Sequence, residues 1–147
     1  MNLPASPKNR TINPSVLVKD LESLDVKQRE KARRTLAALG NSALPELTKA
    51  LANPTEWVRW EAAMSLALTA NPESVPNLVV ALEDSSPSVR LAAIEALTAI
   101  GRPAIPELVK AVKQKPNSST LRQGARRVLR TLKMRGKLAP KDPSNIS

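Results

Sequence analysis

Leucines recur along this chain at intervals of about thirty residues, and the segments around them repeat as well. Leu36, Leu66, Leu97 and Leu129 hold the same position in successive copies. A period in this range is typical of helical solenoids, in which each unit is too small to bury its apolar face alone. The chain is therefore predicted to fold by stacking similar units.

The clearest copy runs from Ser88 to Val112 and predicts two helices separated by a tight turn. Gly101 is predicted to end the first helix, because glycine accepts the left-handed backbone that a helix end often needs. Pro103 is predicted to begin the second helix, where its missing N–H costs nothing. The two apolar faces consist of Val89, Ala93, Ala96, Leu97 and Ile100, and of Ile105, Leu108, Val109 and Val112.

Two full copies precede this one, from Gln28 to Leu51 and from Val58 to Leu82, and a half copy stands at each end. Helices are predicted near residues 14–23, 26–39, 43–53, 54–69, 72–84, 87–100, 103–114 and 119–134. Residues 1–12 are expected to form a flexible arm, 13–134 the solenoid, and 135–147 a basic, disordered tail that begins near Gly136.

An Asn or Ser followed by Pro recurs where helices are predicted to begin. The side chain of such a residue accepts a hydrogen bond from a free N–H group of the first turn, and Pro supplies a preset φ. The predicted caps are Asn13-Pro14, Asn53-Pro54, Asn71-Pro72 and Ser86-Pro87.

The pattern VR-x-x-A-x-x-AL-x-x-IG, followed by P-x-x-P-x-L, resembles the HEAT-like repeats of phycobilisome lyases and HEAT repeats generally. The resemblance covers about Ser15 to Leu132, with Gln28 replacing Val in the first copy and Ala70-Asn71 replacing the glycine in the second. It implies an all-α, right-handed α-solenoid of stacked two-helix repeats whose second helices line the concave surface. Because phycobilisome lyases use this repeat in bilin attachment, it also implies an accessory role in bilin or cofactor-protein maturation.

Composition excludes several kinds of chemistry. The chain has no Cys and no His, so it offers no thiolate nucleophile, no disulfide and no zinc-thiolate site. It also shows no glycine-rich phosphate loop and no paired carboxylates, so neither a catalytic site nor a cofactor or metal is expected. The polar start and the lack of a long apolar run predict a cytoplasmic protein without a membrane span, which we expect to be a monomer.

Positive charge is concentrated in the last quarter of the chain. Residues 1–109 contain twelve basic and twelve acidic residues, whereas residues 110–147 contain eleven basic residues and one acid, Asp142. On the last predicted helix the cations lie at spacings of four, four and three, away from the apolar face. They are either the solvated face of a terminal repeat or a site for an acidic protein or nucleic acid. The predicted anion-binding residues are Lys113, Arg122, Arg126, Arg127, Arg130 and Lys133.

Two further features are candidates for partner binding. Lys19, Lys49, Val80 and Lys110 hold one slot of successive second helices and point away from the core leucines. The resemblance places this slot in the concave groove, although a merely solvated face is the alternative. Trp57 and Trp60, the only aromatic residues, lie three apart on one helix. They are expected to stack on a base, to anchor a protein partner, or to cover the seam between the first and second repeats.

An arginine stands at the start of each first helix, at positions 29, 59, 90 and 122. In HEAT-like repeats the equivalent arginine bonds a polar group at the end of the previous repeat, so the resemblance implies a structural role. The expected partners are Ser23, Asn53, Asp84 and Gln114. The sequence as a whole then favours a non-catalytic scaffold for protein–protein interaction, with nucleic-acid binding and bilin-related maturation as the alternatives.

Overall fold

The computed structural model describes residues 12–138, and all regular structure within them is helical. Four long helices are the first helices of the repeats: α2 (Val26–Ala38), α4 (Glu56–Thr69), α6 (Pro87–Ile100) and α8 (Ser119–Leu138). Four other helices are the second helices: α1 (Pro14–Asp20), α3 (Leu44–Ala50), α5 (Val75–Ala81) and α7 (Ile105–Gln114). All eight predicted helices are therefore present.

The helices form two layers. Contacts join α2 to α4, α4 to α6 and α6 to α8 in one layer, and they join α1 to α3 and α5 to α7 in the other. Each second helix also packs against the first helix that follows it. This arrangement is a stack of two-helix units, and the predicted fold class, an all-α solenoid, is confirmed.

One continuous apolar core lies between the layers. Leu36, Leu66 and Leu97 are fully buried in it, as their shared position in the repeat predicts. Leu129, the fourth member of the series, is only half-buried because no described helix packs beyond α8. The core is made of Leu, Val and Ala, with no aromatic ring fully buried among the described residues.

The turns between paired helices differ from the prediction. A 3-10 turn precedes each of α3, α5 and α7, at Gly40–Ala43, Pro72–Ser74 and Arg102–Ala104. Pro103 therefore lies in such a turn, and Pro106 occupies the first turn of α7 instead. Gly101 does end α6. Its φ is 84°, a backbone conformation that residues with a side chain rarely adopt.

Three of the four predicted Asn or Ser caps are confirmed. Asn13, Asn71 and Ser86 each accept a hydrogen bond from a backbone N–H of the turn that follows. The prediction for Asn53 is wrong, because α4 begins at Glu56 and Thr55 occupies its cap position. The Asn53 side chain instead accepts a bond from the Thr55 N–H, which stabilises the turn before the helix.

The last helix is longer than predicted. It passes through Gly136 to Leu138 and so includes the first four residues of the segment 135–147 that was expected to be a tail. Glycine costs a helix only about 1 kcal/mol relative to alanine, and this one is exposed. Arg135 also donates to the Thr98 carbonyl at 3.2 Å, which holds this end of α8 against α6. Residues 1–11 and 139–147 lie outside the described part of the chain.

Candidate partner-binding surfaces

An open groove of about 600 Å³ runs between α7 and α8. Its floor is apolar and consists of Leu108, Val109, Val112, Ala125 and Leu129. Its rim carries five cations, namely Lys113, Arg122, Arg126, Arg130 and Lys133. No carboxylate lines it among the described residues. We call this feature the basic groove. It combines an apolar surface with an unbalanced positive charge.

Helical spacing explains the rim. Arg122, Arg126, Arg130 and Lys133 are separated by four, four and three residues, so they share one side of α8 and are all exposed. Lys113 joins them from the last turn of α7. Five of the six predicted anion-binding residues therefore line one groove, whereas Arg127 lies to the side of it. Their role in binding stays a prediction.

The start of α8 is tied to the end of α5. Ser118 accepts a bond from the Leu121 N–H and donates to Glu83 at 2.6 Å, while Lys115 pairs with the same carboxylate at 2.8 Å. The bonds from Lys115 and Ser118 lower the pKa of Glu83, outweighing the small opposing effect of its burial. These contacts position the basic helix relative to the rest of the solenoid.

The arginines at the starts of the four first helices, which we call the arginine ladder, have a regular structural role. Arg29, Arg59 and Arg90 each donate through Nη1 to the backbone carbonyl six residues earlier, at 2.6, 3.0 and 2.7 Å. Arg122 donates in the same way to the carbonyl of Pro116. The acceptors are thus main-chain oxygens rather than the expected side chains, and Pro116 replaces Gln114. The arginines satisfy carbonyls in the turns that follow the preceding second helices.

Three ion pairs between elements, centred on two acids, were not predicted. Glu61 of α4 is only 4% exposed and lies 2.8 Å from Arg33 and 3.5 Å from Arg29, both on α2. Arg59 also forms a two-pronged bond with Asp84, at 2.8 and 3.0 Å, at the end of its own repeat. Glu61 was not predicted, and Asp84 was expected to pair with Arg90 rather than Arg59, because partners more than twenty residues away in the chain leave no local pattern.

The slot shared by the second helices is exposed, as predicted. Lys19, Lys49, Val80 and Lys110 all face solvent, and Val80 is 72% exposed. We call this set the second-helix row. An apolar residue so exposed in the centre of the row is a candidate contact for a partner.

The two tryptophans have different surroundings. Trp60 packs against the core and stacks under Arg33 of α2, whose guanidinium carbon lies 5.4 Å from the ring centroid. It therefore lies at the seam between the first two repeats. Trp57 is 43% exposed and lines a hollow of about 380 Å³ with Glu56, Trp60 and Ser88. The seam interpretation fits Trp60, and Trp57 keeps the surface that partner binding needs.

The described residues contain no group of three His, Cys, Asp or Glu side chains that could hold a metal ion. The adjacent acids Glu83 and Asp84 point to different partners, Lys115 and Arg59 respectively. No helix within the described part of the chain is long and apolar enough to cross a membrane.

Comparison with known proteins agrees with this geometry. The family profile for HEAT repeats matches residues 14–78 and, in a second overlapping match, residues 44–130. A curated relative, the uncharacterized phycocyanin operon protein Z of Pseudanabaena tenuis (strain PCC 7409), is 32% identical over 106 residues. That match covers 66% of this chain and 52% of the relative, so the chain spans about half the length of the relative.

Two solved structures are similar to this chain. A crystal structure of an engineered protein is 27% identical, with a TM-score of 0.50, over 82% of this chain and 62% of that chain. A designed armadillo repeat protein is 24% identical, with a TM-score of 0.48, over 88% of this chain and 72% of that chain.

Proposed function

We propose that this chain, which belongs to the HEAT-repeat family, acts as a non-catalytic scaffold that binds a partner protein on its helical surface. The observation that carries the proposal is the basic groove, where an apolar floor of five residues is surrounded by five exposed cations. An apolar centre inside a polar rim is the usual anatomy of a protein–protein interface. Stacked repeats commonly provide such extended surfaces.

The second-helix row adds a second contact area. Its three lysines and Val80 are exposed on the four second helices, so a bound partner could follow the row along the stack. Trp57 adds an aromatic side chain of the kind that is enriched among the strongest interface contacts. Acidic surfaces would complement both the row and the groove.

Affinity capture with charge-reversed variants tests the proposal. The full chain is immobilised on a resin and exposed to an extract of the cells that express it. Two double variants are treated in the same way: Arg126→Glu with Arg130→Glu, and Lys19→Glu with Lys49→Glu. The control is Lys27→Glu with Lys31→Glu, two exposed lysines of α2 that are also four residues apart. We expect the wild-type chain to capture a protein from the extract. The control variant should still capture this protein, and at least one of the two other variants should not. Identical capture by all four chains would contradict the proposal.

Nucleic-acid binding is the second candidate. Arg126, Arg127 and Arg130 line a hollow of about 440 Å³ with Gln123 and Thr131 on the side of α8. Arginine and polar side chains of this kind contact phosphates. Titration into DNA and RNA at two salt concentrations tests it, because affinity that depends on phosphate contacts falls steeply as salt rises. Absence of binding at low salt would exclude it.

A role in bilin or cofactor-protein maturation is the third candidate. It is supported by the resemblance to phycobilisome lyase repeats and by a relative that is named as a phycocyanin operon protein. The absorbance spectrum of the purified chain mixed with a bilin tests this role. A shifted band would support pigment binding, and an unchanged spectrum would count against it.

A further inference from the structure

We infer that the basic groove binds one amphipathic, acidic α-helix of a partner protein, in the position that a further helix of the solenoid would occupy. This inference rests on the proposed function and names the chemistry of the partner at one site. It follows from comparing the groove with its internal counterpart between α5 and α6.

The internal counterpart has the same apolar floor, but that floor is covered. Val79 of α5 corresponds to Val109 of α7. Val79 is 5% exposed, whereas Val109 is 39% exposed. Leu97 of α6 is fully buried, whereas the corresponding Leu129 of α8 is half-buried. The cover is supplied by the next repeat, since α5 packs against α7 and α6 against α8. In the part of the chain that the structure describes, no helix follows α8 to cover the groove.

The rim differs from its internal counterpart in charge. Ile94, Thr98 and Gly101 of the α6 repeat correspond to Arg126, Arg130 and Lys133, and Glu83 corresponds to Lys113. Four neutral or acidic positions have thus become basic around a floor that stays apolar, with Val112 in place of Leu82. The cations on α8 repel one another at helical spacing, and a covering segment with carboxylates would relieve that repulsion. The groove is therefore complementary to a helix with acidic flanks.

The apolar floor favours a protein helix over a nucleic acid. A phosphate backbone pairs with the cations but leaves Val109, Val112 and Leu129 uncovered. An amphipathic helix covers them with apolar residues at positions i, i+3 and i+7, which is the spacing of Ile105, Leu108 and Val112 in α7. The rim from Arg122 to Lys133 spans about 17 Å of α8, at 1.5 Å per residue, so a helix of about 12 residues spans it and one of about 14 residues extends slightly beyond both ends.

A labelled 14-residue probe peptide tests the inference by fluorescence anisotropy with the full chain. The peptide carries Leu or Val at positions i, i+3, i+7 and i+11, with Glu at most of the others. Two comparison peptides replace Glu with Lys, or scramble the sequence so that the apolar face is lost. We expect the acidic amphipathic peptide to bind at least about tenfold more tightly than either, because it alone matches both floor and rim.

Variants then locate the site. Arg126→Glu with Arg130→Glu, and separately Val109→Glu, are expected to weaken binding at least about tenfold, because each removes one kind of contact. The matched control, Lys27→Glu with Lys31→Glu, is expected to change it less than about twofold. All three positions of substitution on α7 and α8 are exposed, and far-UV circular dichroism verifies that each variant retains its helices.

Several results would overturn the inference. They are equal binding of the scrambled peptide, an equal loss in the control variant, and tighter binding of oligo-dT than of the acidic peptide. Self-association of the chain that is abolished by Arg126→Glu would also do so, since a second copy would then occupy the groove. If the peptide does not bind while capture from the extract still depends on Lys19 and Lys49, the inference fails and the proposed scaffold function stands.

Discussion

Ala70 ends α4 in the left-handed region, with φ of 49° and ψ of 37°, where the other two complete repeats have Gly40 and Gly101. An L-residue in this backbone conformation is destabilised by about 1–2 kcal/mol. Glycine avoids this strain, but it loses more conformational entropy on folding, which offsets part of the stabilisation. Ala70→Gly is therefore expected to raise the free energy of unfolding by about 0.5 kcal/mol in urea titration.

Gly40→Ala is the reciprocal change. Gly40 has a φ of 57°, and a Cβ added there would meet no atom within 4 Å, so only the backbone conformation is affected. We expect a loss of about the same size as the gain at Ala70. A stabilising Gly40→Ala, or a destabilising Ala70→Gly, would contradict the assigned turn geometry.

Glu83 should make the docking of α8 sensitive to acid. The bonds from Lys115 and Ser118 hold the pKa of Glu83 below its ordinary value of 4.5. The folded state therefore binds this proton less readily, so the stabilisation is complete above the unfolded pKa and is lost as the pH falls through the folded one. In Glu83→Gln we expect a shallower loss of stability between about pH 5 and pH 3. Parallel pH profiles for the two chains would show that the carboxylate is not coupled to folding.

For the arginine ladder, the sequence predicted the role of the residues but not their hydrogen-bond acceptors. The resemblance to HEAT-like repeats implied a structural role, and four donations to main-chain carbonyls are consistent with it. The acceptor could not be predicted, because side chains and carbonyls lie close together in the turn after a helix. Main-chain oxygens that no helix pairs are available there whatever the side chains are.

Between elements, Glu61 is expected to be the most important polar link. It joins α4 to Arg29 and Arg33 of α2 while almost fully buried. Glu61→Gln leaves two arginines without their carboxylate and should lower the free energy of unfolding by about 1–3 kcal/mol.

The control for this change is an exposed pair on α2 itself. The Nη2 atom of Arg34 lies 2.7 Å from Oε1 of Glu30, but the two side chains are 73% and 44% exposed, respectively. Arg34→Ala should therefore cost less than about 0.5 kcal/mol. Guanidinium unfolding of both variants measures the difference, and equal losses would mean that burial does not strengthen the Glu61 link.

Helical elements were predictable where apolar spacing is regular, and their ends were not. All eight helices follow from periodicity, whereas the 3-10 turns before α3, α5 and α7 have no separate periodic signal. The extension of α8 through Gly136 was missed because the bond from Arg135 to Thr98 depends on a distant element. Glu61 was missed for the same reason, since nothing local requires an acid to be buried.

At the scale of the whole molecule, the continuous core predicts cooperative unfolding. Leu97→Ala removes a fully buried side chain from α6 and should cost about 2–5 kcal/mol. Both tryptophans lie on α4, so their fluorescence reports one repeat while far-UV circular dichroism reports all helices. The two signals should give one midpoint in the wild type and in the variant. Separate midpoints would mean that the repeats unfold independently.

The basic groove was only half predictable. Helical spacing placed Arg122, Arg126, Arg130 and Lys133 on one face. The apolar floor depends on how α7 packs against α8 and on which residues stay uncovered, and these properties belong to the assembled stack. The sequence therefore indicated a charged helix, whereas the structure describes a groove with a charged rim.

Amide hydrogen exchange of the full chain, with and without the acidic amphipathic peptide, tests the docking site most directly. We expect slower exchange confined to residues 105–138, because the bound helix covers α7 and α8. Slower exchange confined to α1 through α5, or unchanged exchange at saturating peptide, would contradict docking in the basic groove.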